Sequence, residues 1–365
     1  MQRIGNSFKG IIGGFIFIII GVGLLWWNEG NNVKNLKTTA EMEDIVIDVK
    51  SDKVDSKNEG KLIATHGKLT NEKELTDETF GITIKTPIMK RVVEVYQWVE
   101  DSNTDDNGNT TYSYKKEWSN NIIDSSEFHK AGHDNPKEKK YEDKTLTSDD
   151  VKVGEFSLSS VQIERLSTNG EYTDYNQEKV NESNLKISGK YLTNSVDLEN
   201  PQIGDIKVSF VYNNSKDVSV LAVQSGNSFI DFVSKAGKNI NRIKDGNHSG
   251  IDMINSIREE NKFLKWILRL VGCLLCIGGI AAILKPISAI TSFVPILGSL
   301  VGAAVGFVSF ILGLCLSLIV IAIAWIRFRP ILGISLLAIV VILLVLLIIR
   351  SKKSKDTTSQ VATSN

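Results

Sequence analysis

The sequence predicts an α+β membrane protein with four transmembrane helices, one near the N-terminus and three near the C-terminus. A large β-rich non-cytoplasmic domain is expected between the first and second. Three observations lead there. Residues 266–349 are almost uninterrupted Leu, Ile, Val, Ala, Gly and Phe, charged only at Arg269, Lys285, Arg327 and Arg329. Residues 11–27 carry no charge. The charges are also partitioned: residues 28–262 hold 41 of the 42 acids and 31 of the 42 bases, a net of −10, which the remainder balances at +10. An apolar run of about 20 residues is what a bilayer core of about 30 Å requires of a helix.

Each span follows from its boundaries. Residues 1–10, with Arg3 and Lys9, form a cytoplasmic N-terminus, and 11–27 form the first span. This run is longer than a signal-peptide core, ends in the bulky pair Trp26 and Trp27, and lacks a small-x-small cleavage site, so it is read as retained. The second span is 263–284, closed by Lys285 and Pro286. Residues 285–298 form a short connection, interfacial or re-entrant, in which Pro295 could instead be a kink within a helix. The third span is 299–326, the fourth 331–349, and 350–365 form a basic cytoplasmic tail. Basic residues near span ends mark the cytoplasmic side. Arg3 and Lys9 at one end, and Arg350, Lys352, Lys353 and Lys355 at the other, place both termini there; Arg327 and Arg329 then fall on the opposite side.

Residues 28–262 read as strands. Ile82 and Ile84, then Val93, Val95, Gln97 and Val99, alternate with their neighbours, and Tyr112, Tyr114 and Trp118 do so after a turn containing Asn107-Gly108. This predicts a hairpin in which Tyr96 and Trp98 face Tyr112 and Tyr114. Further strands are expected at 44–49, 62–66, 154–163, 185–192, 205–211, 218–223 and 228–233. Residues 124–147 are expected to form an exposed helix-and-loop insertion, and 251–263 a helix leading into the second span. The acidic balance argues against nucleic-acid binding, which needs a basic patch. The domain has no Cys, and therefore no disulfide.

Short motifs recur along the chain in a telling order: Asn28-Glu29-Gly30, Asn58-Glu59-Gly60-Lys61-Leu62, Tyr96-Gln97-Trp98-Val99-Glu100, Tyr112-Ser113-Tyr114, Glu117-Trp118 and Gly132-His133-Asp134-Asn135-Pro136. Gly204-Asp205-Ile206-Lys207-Val208-Ser209-Phe210 follows, then Trp325 and Arg329-Pro330. In this order and spacing they resemble the transmembrane protein 43 family, also called LUMA, over nearly the whole chain, with 144–199 the poorest match. The resemblance implies cytoplasmic termini, a large non-cytoplasmic domain and no catalytic motif. It also implies residence in the endoplasmic reticulum or inner nuclear membrane of animals, self-association, and lamina-linked membrane partners. The richness in Lys, Asn and Ile would equally suit a bacterial member in a cell membrane, to which those partners do not carry over.

The remaining motifs are weighed on their chemistry. Gly298, Gly302 and Gly306 lie on one helix face and are read as a packing face, for the chain's own bundle or for another subunit; Gly10 and Gly14 repeat the spacing. Arg269, one turn into the second span beside Lys265 and Trp266, is read as snorkelling to the interface. His129 and His133 have the i, i+4 spacing of zinc ligands, but Lys130 stands where a zincin carries Glu, so a structural role is expected. Cys273-x-x-Cys276 is read as apolar filler within a span. The aromatics from Tyr96 to Trp118 are read as sheet packing rather than a ligand face. Asn109, Asn181, Asn213 and Asn247 head glycosylation sequons, which matter only in a eukaryotic host. No nucleophile and base can be named, so the chain is read as non-enzymatic, with no cofactor and no metal. The expected role is a membrane scaffold whose partners are the bilayer, further copies of itself and other membrane proteins; the alternative is an ion channel or transport component.

Overall fold

The computed structural model describes residues 2–104, 109–178, 180–291, 295–331 and 334. It divides into a helical unit (1–41, 234–238 and 254–365) and a β-rich unit (42–233 and 239–253). In order the elements are α1 (Gln2–Ile45), β1 (Ile47–Lys50), β2 (Leu62–Thr70), β3 (Leu75–Asp77), β4 (Ile82–Ile84), β5 (Ile88–Thr104), β6 (Thr110–Ser119), β7 (Lys144–Thr147), β8 (Lys152–Val153) and β9 (Phe156–Ser157). There follow α2 (Ser160–Glu164), β10 (Gly170–Glu171), β11 (Lys186–Ser188), β12 (Tyr191–Thr193), β13 (Ile206–Tyr212), β14 (Asp217–Ser225), β15 (Ser228–Ile230), β16 (Phe232–Val233), β17 (Asn239–Ile240), β18 (Arg242–Asp245), α3 (Gly250–Thr291) and α4 (Pro295–Phe328).

Among the described residues three helices, not four, are long and apolar enough to cross a membrane. The fourth expected span, 331–349, lies outside the described residues apart from Ile331 and Ile334. The three helices present apolar side chains outward where a soluble protein would present polar ones. Ile12, Phe15 and Ile19 on α1, Leu270 and Leu274 on α3, and Phe307, Phe310 and Leu318 on α4 are all exposed. Outward apolar surface on this scale is stable only against lipid. The 285–298 connection is shorter than expected: α3 continues through Pro286 to Thr291, and α4 begins at Pro295. Residues 292–294 of that connection lie outside the description.

The β-rich unit is built on two seven-stranded sheets. In one, β2 and β14 pair antiparallel from Leu62↔Val223 to Lys68↔Asp217, with β1 parallel to β2. In the other, β5 lies between β13 and β6, and also pairs β7. Each sheet has its own apolar core. Ile63, Val153, Phe156, Val218 and Val220 anchor the first, and Phe80, Met89, Val93, Leu192 and Phe210 the second. Along β5 burial alternates as the sequence requires, with Val93, Val95 and Gln97 inward. The buried Gln97 carboxamide is satisfied: it donates to the Asn121 carbonyl at 2.6 Å and accepts from the Ile123 N–H at 3.0 Å. A buried ion pair joins Arg91 Nη1 to Asp77 Oδ2 at 2.8 Å, while Arg91 Nε donates to the Glu142 carbonyl at 2.8 Å.

Several expectations are corrected. The β5–β6 hairpin forms, but Tyr96 opposes Trp118, Trp98 opposes Lys116, and Tyr114 opposes Glu100. The strands run on to Thr104 and Thr110, so the register is set closer to the tip than the aromatic pattern suggested. Residues 44 and 45 are helical, not strand, because α1 continues through the strong helix formers Ala40, Glu41, Met42 and Glu43. The 154–163 segment yields only β9 and then α2, started by a capping box between Ser159 and Gln162. The 185–192 strand is split into β11 and β12 by a tight turn at Gly189, whose φ is +58°.

The 124–147 insertion has no α-helix; it holds a 3-10 turn at Ser125–Glu127 and then β7. Its side chains occupy stretches where one edge of β5 has no neighbouring strand. The Asn135 carboxamide accepts from the Trp98 N–H at 2.7 Å and donates to the Trp98 carbonyl at 2.9 Å, as a paired strand would. Asp143 accepts from the Val93 N–H at 2.7 Å. His133 stacks on Tyr114 with ring centroids 3.7 Å apart and meets Trp98 edge-on, and His129 stacks on Tyr112 at 4.0 Å. Both histidines thus fasten the insertion to the hairpin's aromatic face, and covering a strand edge in this way removes a template for aberrant pairing. Asn213, at the head of one sequon, is buried, donating to the Ser167 carbonyl at 2.7 Å.

Candidate functional site

The helical unit brings together residues far apart in sequence. Apolar packing aligns α1 with α3 in antiparallel fashion, through close approach at glycines. A Cβ added to Gly14 would stand 2.6 Å from the Gly279 carbonyl oxygen, and one added to Gly279 would stand 2.6 Å from that of Gly14. Gly272 similarly leaves room for Leu25, where an added Cβ would lie 2.6 Å from Cγ. In lipid, where burial of apolar surface gains nothing, such backbone contact is what holds helices together. On the other side Gly313 admits α3, an added Cβ being 2.5 Å from the Ile277 Cα, and Gly30 lies under the Phe328 ring. Leu25, Cys276 and Val320 form the small buried core among the three helices.

At one end of this bundle each residue of Asn28-Glu29-Gly30 is used. Asn28 donates to the Lys265 carbonyl at 3.0 Å. Glu29 is fully buried; its Oε1 accepts from Arg269 Nε at 2.6 Å and its Oε2 from Trp325 Nε1 at 2.9 Å. Gly30 faces Phe328, which also lies 5.4 Å from Trp26, ring to ring. The Arg269 guanidinium sits over Trp266 at 4.8 Å and Trp325 at 5.7 Å. One carboxylate therefore binds all three membrane helices through a cation and an indole. A charge within a span is costly unless paired, so the arrangement acts as a latch that fixes the register of α1, α3 and α4.

Arg269 is thus not simply snorkelling: its side chain is 12% exposed and bound to a carboxylate 240 residues earlier. Gly298, Gly302 and Gly306 fall in α4, and a Cβ added at Gly302 or Gly306 meets nothing within 4 Å among the described residues. Gly10 approaches α3 loosely, and Gly14 tightly. Cys273 and Cys276 are both free thiols, Cys276 buried in the bundle core. Sequence reasoning did not foresee the Glu29 pairing. Its signal was present: Glu29 is the first acid after an apolar run, and Arg269 the first base inside another.

The family model described as Transmembrane protein 43 matches residues 95–330, which hold most of the β-rich unit and end just past Trp325 and Arg329. The chain belongs to the transmembrane protein 43 family. Curated transmembrane protein 43 from Homo sapiens is 27% identical over 352 residues, covering 91% of this chain and 87% of the relative. The Rattus norvegicus protein matches equally, at 27% over 352 residues. A transmembrane protein 43 homolog of Drosophila melanogaster is 26% identical over 340 residues, with 89% and 90% covered. No solved structure matches the chain. As a transmembrane protein 43 family member with three apolar helices, the chain is an integral membrane protein.

Proposed function

We propose that the chain is a non-enzymatic membrane scaffold that self-associates through α4. The observation that carries this reading is a contrast among its glycines. Gly14, Gly21, Gly272, Gly279 and Gly313 are filled by neighbouring helices, whereas Gly302 and Gly306, spaced i, i+4 on one face, are open among the described residues; Gly13, Gly23 and Gly278 are open too but have no open glycine four residues away. Small residues one turn apart on an unfilled face are what a second α4 needs to approach closely. The test is the oligomeric mass of the purified full chain in nanodiscs, wild type beside Gly302→Ile. A defined oligomer that the bulky side chain dissociates supports the reading, and identical monomers overturn it.

The proposal includes a fourth span at 331–349. Contacts of α1 with α4 run parallel, with Leu25 near Val320 and Gly30 near Phe328. A chain ending after α4 would therefore have its termini on opposite sides, whereas both ends are basic. One further crossing reconciles the positive-inside rule with that parity. The channel alternative is disfavoured, because Arg269, the charge that would line a path, is neutralised by Glu29 and packed against two indoles.

A further inference from the structure

The latch leaves charge over. Around the single carboxylate of Glu29 stand three cations: Arg269, which it binds, and Lys265 and Arg329, which it does not. Lys265 lies within electrostatic reach of Arg269, Arg329 and Glu29 together. No acid elsewhere in residues 263–365 can offset them, since the one acid there is Asp356 in the basic tail. Two hydrogen-bond donors are also orphaned. Arg329 Nη2 is shielded from solvent without a partner among the described residues, and so is the Nδ2 of Asn32, a residue only 6% exposed. Asn32 lies on the same α1 stripe as Asn28 and Asn35, which donate to the Lys265 carbonyl and to Asn261 on α3, and Gly30 against Phe328 sets Arg329, at the end of α4, at that level of the bundle. Surplus positive charge and unpaired buried donors lack the same thing, an anionic acceptor, and leaving such groups unpaired is costly.

The depth of the cluster identifies the source of that acceptor. Trp26, Trp27 and Trp266 are exposed at this end of the apolar helices, where tryptophans mark the membrane–water interface. Lipid phosphates lie at that level.

We propose that Lys265 and Arg329, with Asn32, bind the phosphate of an anionic phospholipid headgroup against the end of the helical bundle. The lipid completes the charge balance that Glu29 begins, and its headgroup ties α3 to α4. The inference stands apart from self-association and does not depend on it.

The test uses the full chain, purified in detergent, stripped of lipid and titrated with phosphatidylglycerol, phosphatidylcholine or inorganic phosphate while the unfolding temperature is read. Phosphatidylglycerol raises it, whereas phosphatidylcholine and phosphate at equal concentration do not. A basic residue at the membrane surface contributes about a fivefold factor in binding, so Lys265→Gln with Arg329→Gln weakens phosphatidylglycerol by about 25-fold. Lys285→Gln, at the other end of α3, leaves it unchanged. If the double variant does not fold, by helicity and elution volume, the single variants decide, each weakening binding about fivefold. Equal effects of the two lipids, or variants that keep wild-type affinity, overturn the proposal. Phosphate alone reproducing the shift shows an anion site without a lipid and overturns it equally.

Discussion

The Glu29–Arg269 pair carries the most exacting prediction, because a buried ion pair is worth little net yet is costly to break. At an effective dielectric near 20, two unit charges about 4 Å apart attract by about 4 kcal/mol, most of which offsets desolvation. Removing one partner exposes the other half of that balance, typically about 3–5 kcal/mol. Here the Arg269 side chain is 12% exposed and keeps its contacts with Trp266 and Trp325, so Glu29→Gln falls at the lower end, about 3 kcal/mol, or about 150-fold in the unfolding equilibrium. Arg269→Met leaves the Glu29 carboxylate with only the Trp325 indole, and costs about as much or more. The double variant places a neutral amide beside a thioether and loses about 1–2 kcal/mol, which leaves a coupling of at least about 4 kcal/mol. The assay is helicity against the mole fraction of a denaturing detergent in mixed micelles, for all four members of the cycle. Additivity within about 0.5 kcal/mol would refute the latch.

Three further outcomes follow. Asp77→Asn strands the Arg91 guanidinium, itself 8% exposed, and destabilises the β-rich unit by about 3–5 kcal/mol, read by denaturant unfolding; a change under about 1 kcal/mol contradicts the buried pairing. Gly279→Val forces side chain into the Gly14 carbonyl and costs at least about 1–3 kcal/mol in the mixed-micelle assay, whereas Gly23→Val, with nothing within 4 Å of its added Cβ, is neutral. The Glu100 carboxyl is held below its ordinary value, first by the Tyr114 hydroxyl and also by the His129 N–H, against an opposing contribution from burial. A depressed carboxylate contributes stability that is complete above its unfolded value and disappears as pH falls through the folded one. Acid titration of the Tyr114 ring signal should therefore show the insertion loosening on the acid side of the ordinary Glu range, and Tyr114→Phe should move that loosening to higher pH.

How much of this could be read from the sequence depends on the range of the interaction. Apolar length, which is local, pointed to the three apolar helices among the described residues, and period-two alternation pointed to β5. The capping box at Ser159 and Gln162 was also local and was passed over for a strand pattern. Long-range pairing is different. Nothing near Asn135 indicates that its carboxamide lies against the Trp98 backbone, and nothing near Trp98 indicates that its partner is 37 residues away. The alternation of aromatics was visible, but a hairpin's register comes from its turn, and a shift along the strands changes every facing pair.

The glycines sharpen the same point. Spacing alone made Gly298, Gly302 and Gly306 the conspicuous set, and it could not say that the tight reciprocal contact belongs to Gly14 and Gly279, which share no motif. A small residue permits approach and does not name what approaches. In a membrane the partner is fixed by groups that lipid cannot satisfy, and Glu29 is the clearest of these, a carboxylate buried at the end of an apolar run. Such a residue must find a donor on a neighbouring helix, and the helices can slide or rotate only by breaking that bond. The latch thus selects which glycines meet: with Arg269 and Trp325 held to Glu29, α1 brings Gly21 to Gly272 and Gly14 to Gly279. Gly302 and Gly306 are left outside that register, and an added Cβ at either meets nothing within 4 Å among the described residues.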